Sequence, residues 1–218
     1  MEDFFSIVPA DLDQLIVEYQ RLRPLLSELH GRIVRLAGKE DVRSCARRLG
    51  MLSRQNGSAV IAFSHELETE IFQDYLAYMH QPRGISLVQQ MFNRQRALPP
   101  DSEELAMLAS MVQAHFSLFW IRAIHPAGGI VALDVIRGGQ FFILDQSVPQ
   151  QDVVGLLTGL RIFPFLGAWM HTGISMVVGA ISDEDGIQPM GQVLDRREER
   201  AMNEETIRRW RELLEEME

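Results

Sequence analysis

The sequence is poor in cysteine, short of basic residues and without a recognisable export signal. Its single cysteine, Cys45, can form no disulfide within the chain and no cysteine cluster for zinc. The 21 Lys and Arg residues are outnumbered by 30 Asp and Glu, and the resulting net charge of −9 repels a phosphate backbone. The opening stretch MEDFFSIVPADLDQ lacks the basic start and long apolar core of an export signal. We therefore expect a cytoplasmic protein for which nucleic acid is a poor partner.

One stretch, residues 162–181 (IFPFLGAWMHTGISMVVGAI), contains no Asp, Glu, Lys or Arg. Its length would allow a helix to span a membrane. Pro164, several glycines and the polar His171 interrupt it, and the central GAWMHTG is typical of a turn between strands. We therefore predict two buried strands here, with a membrane span as the lesser alternative.

The first half of the chain shows the three- and four-residue spacing of apolar side chains that is typical of amphipathic helices. Pro24 is expected to kink or restart the first helix, because proline lacks the N–H that a helix interior requires. The stretch SRQNGS at residues 53–58 indicates a cluster of turn residues. The pattern predicts helices at about 12–37, 41–49, 58–78, 85–96 and 102–114.

From Phe116 onward the apolar period changes to two, which is typical of strands joined by the turns HPAGG and RGG. A highly charged stretch after residue 190 leads to a final amphipathic helix at about 202–217. The predicted strands lie near 116–124, 130–136, 140–145, 158–166 and 171–180.

These elements predict an α+β fold with a helical N-terminal half, a five-stranded antiparallel barrel-like sheet and a C-terminal amphipathic helix. The expected domains are a helical region over 1–98, a helix with the small sheet over 99–190, and a charged linker with the final helix over 191–218.

Asp134 and Asp145 stand in an otherwise apolar stretch and form a candidate pair of catalytic carboxylates. If Gly138 and Gly139 form a two-residue hairpin loop, both aspartates lie on one face of the sheet. A three-residue loop would reverse the parity and place them on opposite faces. The alternative is that they are ordinary strand-edge or turn-capping residues.

Glu66, Glu70 and Asp74 follow one another at four-residue steps along the predicted third helix. Asp74 falls inside the apolar stripe, so we expect it to be buried and paired with an arginine. A carboxylate site for a metal or for acid–base chemistry is the alternative. His171, in the last predicted hairpin, is a further weak candidate. No histidine pair with zinc spacing and no nucleotide-binding motif occurs, so we predict no metal and no cofactor.

The final helix carries an apolar stripe that must dock on something, because a helix of this length is marginal alone in water. We predict that it joins the chain to a second copy or to a protein partner, with docking on the chain's own helical half as the alternative. The stripe consists of Ile207, Trp210, Leu213, Leu214 and Met217.

Several stretches occur in an order that resembles a family of bacterial proteins of unknown activity. They include ARRLGML, ETEIFQDYLAYMHQPRGISLVQQMF, SLFWIRAIHPAGGIVALDVIRGGQFFILD and LRIFPFLGAWMHTG, which together cover about residues 45–180. In some members of that family a helical region with a small β-barrel module stands beside a SEC-C metal-binding motif. The SEC-C cysteines are absent here, so no zinc site is carried over from that family. The resemblance assigns no catalytic residue to this chain.

The function expected from these features is a non-catalytic cytoplasmic binding or protein-interaction module. The alternative is an enzyme that uses the carboxylates of the 66–74 helix or of the Asp134 and Asp145 strands.

Overall fold

The computed structural model of the protein describes residues 7–55, 57–146, 152–181 and 187–217. The predicted connection over 146–155 lies partly outside these ranges, and so does the side chain of Met217. The chain forms two compact units. The first combines residues 1–22 with 114–218, and the second is residues 23–113.

Six helices and two sheets are present in the described part of the chain, which confirms the α+β class. The helices are α1 (Leu12–Val34), α2 (Lys39–Arg48), α3 (Leu67–Tyr78), α4 (Leu87–Gln95), α5 (Glu103–Val112) and α6 (Arg196–Met217). The strands are β1 (Leu52–Gln55), β2 (Ser58–Ile61), β3 (His115–Ile124), β4 (Ile130–Asp134), β5 (Gln140–Leu144), β6 (Leu156–Phe165) and β7 (Ala168–Ala180).

The helix predicted to begin at residue 58 is wrong at its start, because β1 and β2 form a hairpin there. The side chain of Glu68 links the first turn of α3 to the residues before it. It accepts hydrogen bonds from the backbone N–H of Ser64 at 2.9 Å and from the Ser64 hydroxyl at 3.1 Å. At the start of the helix itself, Leu67 N donates to Nδ1 of His65 at 3.2 Å. The chain before these residues extends into β2.

Two polar contacts connect helices within the second unit. Arg32 of α1 donates to Glu104 of α5 at 2.9 Å. Asp41, in the first turn of α2, accepts from Gly38 N at 2.8 Å and lies 2.9 Å from Nε2 of His80. The hydrogen bond from His80 is the main cause that lowers the pKa of Asp41. Asp41 therefore fixes the start of the helix from which the chain runs into β1.

The other five strands form a ring of hydrogen-bonded neighbours in the order β3–β4–β5–β7–β6, and β3 also pairs with β6. We call this ring the closed sheet. The prediction that all its strands are antiparallel is wrong, because β5 and β7 run parallel, with Ile143 beside Trp169. The other four pairs of neighbours are antiparallel, so β5 and β7 both run in the direction of β3. A ring of five strands can then close only through a parallel pair.

Apolar side chains of the closed sheet form one buried cluster. Partly buried Ile124, Phe141, Val153 and Trp169 pack against it. A ring of so few strands leaves room for side chains rather than for a ligand cavity. The buried members are Phe119, Ile121, Ile130, Ala132, Ile143, Leu160 and Ile162.

The charge-free segment at 162–181 is divided between the end of β6 and β7, as predicted. No helix in the described ranges is long and apolar enough to cross a membrane.

Helix α6 begins six residues earlier than predicted, at Arg196 instead of residue 202. Asp195 Oδ1 accepts from the N–H groups of Arg197 and Glu198, and Glu198 Oε2 accepts in return from Asp195 N at 2.8 Å. This reciprocal pair is a capping box, which starts a helix directly after Asp195. Much of the charged stretch predicted as a linker is therefore the first turns of α6.

The apolar stripe of α6 docks on the closed sheet of its own chain, where it contacts β3 and β7. Ile207 and Trp210 are buried in this contact. Gly159 on β6 lets the helix come close, since a Cβ there would lie 2.7 Å from Thr206 Cγ2 and 2.9 Å from the ring of Phe116. The expected joining of α6 to a second copy or to a protein partner stays a prediction.

A buried ion pair joins α6 to the closed sheet. Glu199 Oε1 accepts from Phe116 N at 2.7 Å and from Arg161 Nη1 at 3.3 Å. Arg161 is fully buried, stacks over the Phe116 ring at 5.6 Å and also donates to Asn203 Oδ1 at 3.1 Å. Arg137 adds a contact of 3.4 Å to the other carboxylate oxygen of Glu199. Both charges are paired and hydrogen-bonded, as buried charges must be.

Replacing Glu199 with alanine should lower the free energy of unfolding by about 3–5 kcal/mol, because the guanidinium of Arg161 would remain buried without its counter-charge. Urea unfolding at neutral pH measures the change. The matched control on the same helix is Glu205→Ala, which removes an exposed pair with Arg208 and should cost at most about 1 kcal/mol. Equal losses for the two variants would contradict this role of Glu199.

Candidate functional site

Asp134 caps the turn between β4 and β5. Its Oδ1 accepts from the Ser117 hydroxyl at 2.6 Å and from the N–H groups of Ile136 and Arg137, each at 2.9 Å. The carboxylate is fully buried. Three donors on one oxygen are typical of a side chain that holds a turn together. This geometry corresponds to the turn-capping alternative for Asp134.

The capped turn also changes the strand register on which the carboxylate pair depends. Leu133 lies opposite Gln140, so residues 134–139 form the connection instead of a two-residue glycine loop. In this register Asp134 falls opposite Gly139, and Asp145 follows Gly139 by six residues, a separation of roughly 20 Å along the strand. The two aspartates share a face but stand at opposite ends of it. They do not form a pair.

Asp145 instead contacts His171, the other candidate site residue in this part of the sheet. Nε2 of His171 lies 2.9 Å from Oδ2 of Asp145, although the contact lacks the alignment of a hydrogen bond. The backbone N–H of Gly173 donates to Nδ1 of the same ring at 3.2 Å. In the neutral ring the proton therefore sits on Nε2, towards the carboxylate, and Nδ1 is occupied. Nδ1 of His171 is thus engaged by the backbone, and Nε2 lies beside the carboxylate of Asp145.

The three acids predicted to line α3 differ in their exposure to solvent. Glu66 and Glu70 are exposed, whereas Asp74 is fully buried, as predicted. The arginine partner expected for Asp74 stays a prediction. The buried acid at the start of this helix is Glu68, which accepts from Ser64. The four-residue steps therefore do not bring three carboxylates to one site.

Side chains that could bind a metal are dispersed over the described residues. No group of three or more His, Cys, Asp or Glu side chains there is arranged to hold a metal ion. Cys45 is buried and forms no disulfide among the described residues. The predicted absence of a metal and of a cofactor stays a prediction, which elemental analysis of the purified protein can address.

His115, at the start of β3, lies among aromatic rings of the closed sheet. Its ring centroid is 5.7 Å from Trp169, 6.2 Å from Phe141 and 6.5 Å from Phe119. Its Nε2 is buried without a hydrogen-bond partner among the described residues. Burial, followed by the nearby Arg137, Arg161 and Arg196, lowers the pKa of His115 to about 4. The ring is therefore neutral at physiological pH and serves as part of the packed interior.

A candidate site of another kind is the hairpin of β1 and β2 in the second unit, where backbone groups and not side chains are available for hydrogen bonds. Ala62 N donates to Met51 O at 2.9 Å, which makes this a hydrogen-bonded position of the ladder. Because such positions alternate in antiparallel pairs, Val60 and Ser58 also bond inward to β1. The N–H and C=O groups of Ala59 and Ile61 therefore point outward. Within the described residues the hairpin is a two-stranded sheet, so no third strand covers this edge.

The strand β2 and its sequence neighbours carry no charge. Residues 55–64, QNGSAVIAFS, contain no Asp, Glu, Lys, Arg or His. Phe63 and Leu67, which follow β2, are 40% and 42% exposed. Phe63 is held by an edge contact with Phe72, at 5.9 Å between ring centroids. The outer edge of β2 thus combines free backbone groups with exposed apolar side chains.

The sequence contained a signal for this edge that the helical pattern obscured. Asn56–Gly57 is the dipeptide that most strongly favours a two-residue hairpin loop, and Gly57 has a φ of 80°. A signal for the ion pair was present too. Arg161 is a single charge beside a long apolar segment, which indicates a buried partner. The identity of that partner, Glu199, depends on the docking of α6 and could not be read from spacing.

The fold and these contacts define an α+β protein in which α6 is locked onto a closed mixed sheet, and in which a hairpin of the second unit has an open edge. The chain belongs to a family of unknown function (DUF7986), whose model matches residues 13–206. No curated protein and no solved structure matches the chain.

Stability between pH 6.5 and 4 should depend on His115. The folded-state pKa of about 4 lies below the ordinary value of 6.5, so the unfolded chain binds a proton that the folded chain does not. Unfolding therefore becomes easier as the pH falls through this range, by about 3 kcal/mol from this residue. In His115→Phe the contribution should vanish, which urea unfolding of both proteins across the range measures. An NMR titration in which His115 of the folded protein protonates near pH 6.5 would contradict it.

Proposed function

We propose that the protein is a non-catalytic binding module that docks a polypeptide partner by strand addition to the open edge of β2. The observation that carries the proposal is the pair of outward-facing backbone positions, Ala59 and Ile61. Strand addition uses such groups directly, since the main chain of the partner supplies the missing donors and acceptors. Two bonding positions on a neutral strand suit an extended partner segment.

The residues after the strand support the same function. An edge strand that must avoid pairing usually carries a charge or a proline, and Ser58–Ile61 carries neither. Exposed Phe63 and Leu67 add apolar area beside the backbone groups. A partner that pairs with β2 would cover this area and remove it from water, which adds affinity beyond the hydrogen bonds.

The second candidate function is an enzyme that uses Glu70, Asp74, Asp134, Asp145 or His171. Binding is the better supported of the two, because these side chains lie apart from one another or are engaged by neighbouring groups of the fold. The proposal includes a bacterial cytoplasmic setting. Its support is the single cysteine and the resemblance of the chain to bacterial proteins.

A photo-activated cross-linker placed at Ser58 should form adducts with a partner chain in cells that express the protein. Ser58 is exposed beside the outward-facing positions, so its side chain does not contribute to the core. Adding Ala59→Pro should abolish the adducts, because proline removes the outward N–H while the inward bonds of the hairpin remain. Adding Ala59→Thr should preserve them, since threonine keeps the N–H and favours strands.

The control position is Glu212, which is exposed on α6 of the other unit. Adducts at Ser58 that are no more frequent than at Glu212, or that survive Ala59→Pro, would show that the β2 edge binds no partner. Mass spectrometry of the adducts distinguishes a second copy of the chain from a different protein.

A further inference from the structure

We infer that the partner of the β2 edge is a second copy of this chain, joined by antiparallel pairing of β2 with β2′ about a two-fold axis at Val60. The inference rests on the proposed function, because it names the occupant of the same edge. Pairing of one surface with itself is the commonest way in which soluble proteins form closed dimers.

The backbone of β2 is self-complementary about this axis. With Val60 opposite Val60′, Ala59 lies opposite Ile61′ and Ile61 opposite Ala59′. Both of these residues direct their N–H and C=O groups outward, so each of the two pairs exchanges two hydrogen bonds. All outward groups of the strand are then satisfied in one symmetric register. The product is a four-stranded sheet, which is more stable than an isolated hairpin.

The side chains fit the same register. Val60 meets Val60′ at the axis, and β-branched residues placed directly across from each other stabilise a sheet. Phe63 falls opposite Gly57′ in the turn of the other hairpin. Nothing lies within 4 Å of the position that a Cβ of Gly57 would occupy, so an aromatic ring can cover this glycine.

The lack of charge on this strand is compatible with a second copy. Two chains that each carry a net charge of −9 repel each other, so a self-contact requires a neutral surface. The uncharged stretch at 55–64 supplies one. The other edge of the hairpin carries the exposed Arg54, whose main-chain groups also point outward. A charge on an edge strand opposes further pairing, so assembly stops at a dimer and does not continue into a fibre.

Sedimentation velocity of the purified full chain over a range of micromolar concentrations tests the inference. The wild type should pass from monomer to dimer as its concentration rises. Val60→Lys places two lysines face to face at the axis, and Val60→Glu places two glutamates there. Each variant alone should weaken the dimer about tenfold or more, because like charges directly opposite each other destabilise a sheet.

An equimolar mixture of Val60→Lys and Val60→Glu should restore the dimer, because the introduced lysine and the introduced glutamate then attract each other across the axis. Recovery in the mixture also shows that both variants fold. A wild type that stays monomeric throughout, a dimer unaffected by Val60→Lys, or a mixture no better than either variant alone would overturn the inference. If the purified protein is monomeric but Ser58 still cross-links to a different chain, the second-copy inference is wrong and the binding function stands. If Ser58 forms no adduct either, both are wrong.

Discussion

The buried ion pair between Arg161 and Glu199 is the constraint on which the first unit depends. Arg161 lies inside the fold on β6, and a charge in that position is tolerable only when a counter-charge reaches it. Glu199 supplies this charge and also accepts the N–H of Phe116 on β3, so one carboxylate holds two strands and a helix. The position of α6, and with it the burial of Ile207 and Trp210, follows from this pairing.

Sequence alone predicted the strands of the closed sheet closely, because the two-residue period and the glycine turns are local properties. It placed the first strand at 116–124, where the structure has His115–Ile124. It failed where two patterns competed. Val60, Phe63 and Leu67 fit a helical spacing, yet β1 and β2 form a hairpin and α3 begins only at Leu67. The capping box of Asp195 and Glu198 was equally visible in the sequence and was overlooked among the surrounding charges.

The candidate site could be predicted only in part, because its geometry depends on long-range pairing. The parity of Asp134 and Asp145 follows from the alternation of a strand, and they do share a face. They are far apart because the register of β4 and β5 differs by four residues from the one that a two-residue glycine loop would give. The side chain of Asp134 stabilises the longer connection by capping its turn. The contact of Asp145 with His171 requires the parallel neighbours β5 and β7, which no local pattern reveals. These polar residues engage the turns and strand ends of the closed sheet.

Amide hydrogen exchange, resolved to single residues in the hairpin, tests the proposed pairing at the open edge of β2 most directly. The amides of Val60 and Ala62 bond inward and should be protected at every protein concentration. Those of Ala59 and Ile61 face outward, so they should exchange quickly in dilute solution and become protected as the concentration rises. Amides of Ala59 and Ile61 that exchange equally fast at all concentrations would contradict the pairing of β2 with a second copy.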